Sequence, residues 1–118
     1  MHPLRYGLDV WKESVRLARE IYRASAAFLD AGRFGLTSQI RRCAISVPSN
    51  IAEGAGRGNR KEYAHYLRIA RGSLMEMDTQ LWIARDLGFI EETSELHASI
   101  QRVAAMLSAL ITSKASLE

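Results

Sequence analysis

Apolar residues recur at three- and four-residue spacing along most of this chain, the signature of helices that bury one face. The clearest run is Tyr63, Leu67, Ala70, Leu74, Met77, Leu81 and Ala84, a heptad alternation that predicts a long helix against a bundle neighbour. Asn59 followed by Glu62 reads as its capping box, and Gly88 as its C-terminal stop. A similar run, Leu96, Ile100, Val103, Leu107 and Leu110, predicts a last helix from about Thr93 to Ser113. Ahead of these, Trp11, Val15, Ala18 and Tyr22, widened by Val10, Leu17, Ile21 and Phe28, predict a first helix from about Asp9 to Leu29. Leu36, Ile40, Ala44, Val47 and Ile51 mark the inward side of a second, with Thr37 as its N-cap and GAGRG as its end. Pro48 falls inside that pattern and predicts a kink; Ser46, Ser49 and Asn50 are placed to bond the freed backbone groups. Pro3 and Gly7 make residues 1–7 a short extended arm. There is no strand-like alternation, and the connections are short. The expectation is all-α: an antiparallel up-down-up-down four-helix bundle, one domain over residues 1–118.

Bulk composition changes this picture little. Two prolines in 118 residues suit long helices. No apolar run approaches the ~20 residues that cross a bilayer, and the first residues lack the apolar stretch of a secretory signal. A single cysteine excludes an internal disulfide. These features predict a cytoplasmic protein, with no membrane partner and Cys43 as a small buried core residue.

Charge adds more. The net charge of +3 conceals a balance of +5 over residues 36–71 and −4 over residues 72–118. On the first helix, Lys12, Arg16, Arg19 and Arg23 fall within a sector of about 60° roughly opposite the apolar face. Arg57, Arg60, Lys61, Arg68 and Arg71 make a second, denser basic patch. These nine residues are the candidate nucleic-acid-binding set, suited to phosphate contact without base reading. The alternative is two ordinary solvated helix faces, the first braced by pairs such as Glu13–Arg16. Arg42, Ser46, Ser49 and Asn50 form a polar, mostly small-residue stripe on the second helix, and Trp82 and Ile83 fall off the heptad line of the third. These six are the candidate subunit-interface residues.

Catalytic chemistry is not in view. GAGRG lacks the following Lys-Ser/Thr and the preceding strand of a phosphate loop. His2, His65 and His97 have no metal-ligand spacing, and no serine sits in a GxSxG elbow. Glu53 and Glu62 are the only carboxylates that suggest an acid–base pair, and Glu62 serves better as a cap. No catalytic residue, metal site or cofactor is assigned, and the protein is read as non-enzymatic.

Three segments carry a family resemblance: LDVWKESVRLAREIY, the block from Gly35 to Leu81 with its SQIRR, SVPSNIAEG and ARGSLMEMDTQL stretches, and ARDLGFI. Together they resemble the four-helix-bundle family typified by proteins encoded within intervening sequences of bacterial 23S rRNA genes. Cys43 stands where alanine is more usual. The resemblance implies a homopentameric ring of bundles. A related branch, the accessory variability proteins of diversity-generating retroelements, looks like basic barrels that bind nucleic acid and a reverse transcriptase. The function expected is a ring-forming protein associated with nucleic acid, RNA before DNA. The alternative is a protein-interaction scaffold, for example for a reverse transcriptase, with no nucleic-acid contact of its own.

Overall fold

The computed structural model describes residues 8–31 and 34–116; the arm expected over residues 1–7 lies outside them. Four helices make up almost all of it: α1 (Leu8–Ser25), α2 (Phe34–Ala55), α3 (Arg60–Asp86) and α4 (Ser94–Ser116). A short 3₁₀ segment, Ala26–Ala31, follows α1. No strand occurs among the described residues. The helices share one apolar core in a body of 47 × 21 × 19 Å, consistent with a bundle. At 1.5 Å per residue, α3 alone spans about 40 Å of that length.

The heptad line of α3 is buried along its whole length, from Tyr63 to Ala84. Ile40, Val47 and Ile51 of α2, Leu17 and Ile21 of α1, and Ile100, Val103 and Leu107 of α4 close over it. Each such side chain contributes ~1.5–3 kcal/mol by leaving water. Both ends of α3 are capped as its sequence predicts. Asn59 is extended, and its Oδ1 accepts the Glu62 N–H at 2.8 Å. At the other end Gly88 has φ +78°. Gly88 N–H donates to Arg85 O and Phe89 N–H to Ala84 O, satisfying carbonyls that the helix leaves open. Phe89 then packs on Phe28 of the 3₁₀ segment, ring centroids 6.1 Å apart.

Three expectations need correcting. The first helix stops at Ser25 rather than Leu29, and the chain tightens into the 3₁₀ turn that buries Phe28 completely. The second begins at Phe34, a turn before Thr37, which holds Leu36 against the core one turn ahead of Ile40. Thr37 is therefore no cap. Its hydroxyl is buried and has no hydrogen-bond partner among the described residues. On α1, finally, the burial is centred on Val10, Ser14, Leu17 and Ile21. Trp11 and Val15 are half-buried and Tyr22 is exposed. Cys43 is buried as expected; burial pushes its thiol up, and the Glu76 carboxylate adds to the shift.

α2 continues through Pro48 without a break. Asn50 Nδ2 donates to Ser46 O at 2.9 Å, and not to Ala44 O, the carbonyl that Pro48 leaves without its helical donor. The contact of α2 with α3 depends on Gly54. A Cβ there would lie 2.8 Å from Tyr66 Cβ and 3.2 Å from Tyr63 O, atoms that cannot swing away.

Two predictions follow from these local features. Gly54→Ala is expected to lower stability by ~1–3 kcal/mol through overpacking, read as a lower urea midpoint. Gly35→Ala, where a Cβ meets nothing within 4 Å, should not lower it. The second concerns Glu92, whose carboxylate accepts the Ser94 N–H at 2.7 Å ahead of α4. Hydrogen bonds from the Ser94 side chain and backbone hold it below its ordinary value of 4.5. A depressed carboxyl adds stability above its unfolded value and loses it as pH falls through the lower folded value. Glu92→Gln should remove that part of the acid-side loss, measured by urea midpoints from pH 7 downward.

Candidate nucleic-acid interface

The nine basic candidates divide by what surrounds them. On α1, Lys12, Arg19 and Arg23 are exposed and have no ion pair among the described residues. Arg16 is exposed too, with a loose contact to Glu13 at 3.5 Å. Glu13 also meets Arg102 of α4 at 3.8 Å, so the acidic flank of α1 faces α4. The other flank of the stripe faces α2. There Arg19 and Arg23 border an open apolar groove of about 710 Å3, floored by Trp11, Val15, Ile45, Pro48 and Ala52.

The second patch is less free than its sequence suggests. Arg57 pairs with Glu53 at 3.0 Å, donates to Tyr66 Oη at 2.6 Å and lies over the Tyr66 ring. Arg71 is half-buried between helices and donates to Ser108 Oγ of α4 at 3.2 Å. Arg60 is exposed but has an interaction of its own. Lys61 and Arg68 remain, exposed on the outer side of α3 and without an ion pair among the described residues. The structure thus brings together two small free clusters, Lys12–Arg19–Arg23 and Lys61–Arg68, where the sequence suggests nine equivalent cations.

The interface candidates divide in the same way. Arg42 and Ser49 are exposed. Ser46 and Asn50 are half-buried and used within the chain: Ser46 Oγ meets Ser73 Oγ of α3 at 2.9 Å, and Asn50 donates to Ser46. Trp82 and Ile83 are both exposed, but on different sides of α3. Trp82 stacks on His97 of α4, centroids 4.3 Å apart, whereas Ile83 lies beside Met75 and Thr79 toward α2.

Two arrangements escape sequence reading. Arg41, about two turns into α2, reaches the last turn of α1. It donates to Tyr22 O at 3.0 Å and Ser25 Oγ at 2.8 Å, with its guanidinium 4.6 Å from the Tyr22 ring centre. The site complements the negative end of a helix. His97 Nδ1 and Asp78 Oδ1 meet at 2.6 Å under the Trp82 ring, joining α4 to α3. Residues so far apart in the chain have no common motif to announce them. Glu53 and Glu62, the imagined acid–base pair, are occupied by Arg57 and by the Asn59 cap. Among the described residues no three His, Cys, Asp or Glu converge as a metal site. None of their helices is long and apolar enough to cross a membrane.

Fold and surface define an all-helical, bundle-type protein that carries two exposed clusters of cations without an ion pair among the described residues. Residues 7–109 match the model of the family described as 23S rRNA-intervening sequence protein, and the chain belongs to that family. Compared one by one with curated proteins, it matches none.

Arg41→Ala should lower stability by ~1–3 kcal/mol, since two donors to the end of α1 and a cation–π contact go together. Its binding to any polyanion should be unchanged at matched temperature below the melting transition. Thermal unfolding and a parallel filter-binding titration check both halves.

Proposed function

We propose that this protein is a non-enzymatic, ring-forming, nucleic-acid-associated member of its family, acting in the cytoplasm on RNA in preference to DNA. The observation that carries the reading is the set of exposed cations without an ion pair among the described residues, Lys12, Arg19, Arg23, Lys61 and Arg68, on two helices of one small body. Such cations displace condensed counterions from a phosphate backbone and discriminate little between bases. The family description places its members at 23S rRNA genes, which favours RNA. The bundle is antiparallel, up-down-up-down: Arg41 near the start of α2 touches the end of α1, and Arg71 and Asp78 of α3 meet Ser108 and His97 of α4 in reversed order. Copies join in a homopentameric ring, which the family resemblance supports and which would set the clusters of several subunits around one strand.

A second reading has its own observation. The apolar groove between α1 and α2 is better suited to protein than to phosphate. In this reading the ring is a scaffold, for a reverse transcriptase for example.

Filter binding of a single-stranded RNA between ~50 and ~200 mM salt tests the first reading. The logarithm of affinity should fall linearly with that of salt, at ~0.7 per phosphate contacted. Lys61→Glu with Arg68→Glu should weaken binding at least tenfold and flatten the slope. Arg57→Ala and Arg71→Ala should cost stability and leave the slope nearly intact. Flat salt dependence, or retention of a protein partner after nuclease treatment with no RNA affinity, would favour the scaffold.

A further inference from the structure

The α1–α2 groove adds to the charge on α1 a chemistry that phosphate contact does not use. Residue order places Trp11, Val15 and Tyr22 on the inward face of α1, but the core takes Val10, Leu17 and Ile21 and leaves these three along the groove. Tyr22 is 40% exposed there, and Trp11 is half-buried. At ~100° per residue, Trp11, Val15 and Tyr22 fall within about 40° of one another around the axis of α1. Arg19, Lys12 and Arg23 follow in the next ~80°. Aromatic rings and cations thus run side by side along one helix.

The two banks of the groove differ. Along α1 the bank is cationic, with Arg19 and Arg23. Along α2 it is Ile45, Pro48, Ser49 and Ala52, with Ser49 the one polar side chain among them. No acidic residue lines the groove. Its occupant is therefore anionic along one edge and apolar along the other. An amphipathic helix, polar on both flanks of its apolar stripe, suits a groove with two charged banks better than this one. A single strand of nucleic acid has the one-sided character required: phosphates on one edge, flat bases on the other. At about 710 Å3 the groove has the volume of ordinary ligand sites. Arg41 holds one face of the Tyr22 ring, its guanidinium 4.6 Å from the ring centre, so the stacking platform falls to Trp11 at the other end.

Resting on the nucleic-acid reading above, we infer that the groove seats unpaired bases of single-stranded RNA, one of them stacked on Trp11, while Lys12, Arg19 and Arg23 hold the phosphates along the α1 bank. Double-stranded RNA keeps its bases inside the helix and gains only the phosphate contacts. The protein therefore selects unpaired over paired RNA, with little choice among bases, because every base has a face to stack.

The full chain carrying Trp82→Phe has Trp11 as its only indole, and the fluorescence of that indole tests the assignment. Titration with a single-stranded oligouridylate of ~12 nucleotides should quench most of the Trp11 emission. Duplex RNA of the same length, or inorganic polyphosphate, should bind through the cations with little quenching. Trp11→Leu should weaken oligouridylate binding roughly tenfold. It should leave the salt dependence unchanged, because no charge is lost. If Trp11→Leu misfolds, ultraviolet cross-linking of iodouridine-substituted RNA to the wild-type chain serves instead, with the adduct expected on Trp11 or Tyr22 by mass spectrometry. RNA bound with the expected salt dependence but with Trp11 emission unchanged, or with adducts on α3 alone, overturns the groove site and leaves the phosphate-contact reading standing. Absence of RNA binding removes both. Trp11 emission that shifts with protein concentration alone and not with RNA overturns it by assigning the groove to a second copy. Quenching or a shift with an acidic amphipathic peptide, and none with RNA, overturns it in favour of a protein partner.

Discussion

A missing Cβ at position 54 sets the geometry on which the cationic surface depends. Only glycine lets the last turn of α2 lie against Tyr63 and Tyr66 at the start of α3. That approach places the Tyr66 ring and hydroxyl under Arg57, while Glu53, one turn before Arg57, takes its charge. The turn joining the two helices is thereby closed by its own side chains. Lys61 and Arg68 then leave the turn along the outer side of α3, where no carboxylate reaches them among the described residues.

Arginine has three fates in this protein, and environment separates them. Arg41 finishes the end of α1, Arg71 ties α3 to α4, and Arg57 is held in a glutamate–tyrosine clasp. A planar fork with several donors suits these multiply bonded sites better than an ammonium would. Arg19 and Arg23 border apolar surface, which a weakly hydrated guanidinium tolerates better than an ammonium. Arg68, with Lys61, stands in open solvent, where charge acts at the range of the Debye length and weakens with salt. Treating all as one basic patch overstates the charge available to a polyanion.

Helix identity and the α3 core were legible from residue order because they depend on local periodicity. The heptad positions from Tyr63 to Ala84 are buried without exception, and the Asn59 and Gly88 caps use bonds within a few residues of themselves. The family resemblance was legible too, since SVPSNIAEG and its neighbours are long contiguous strings. Residue order misled where two apolar faces were available. On α1, Trp11–Val15–Tyr22 and Val10–Leu17–Ile21 have equal helical spacing, and nothing local says which one faces inward. Thr37 has a cap's chemistry but lies inside a helix that begins one turn earlier.

By itself, then, the sequence determined four helices, their principal caps, the buried line of α3 and a surplus of positive charge before residue 72. Each is written in residues close enough along the chain to act on one another before anything packs. Tertiary structure decided which arginines stay free, which α1 face becomes a groove, and that His97 meets Asp78. Those outcomes depend on the rotation of each helix about its own axis, which is set by all four cores at once and by no single segment.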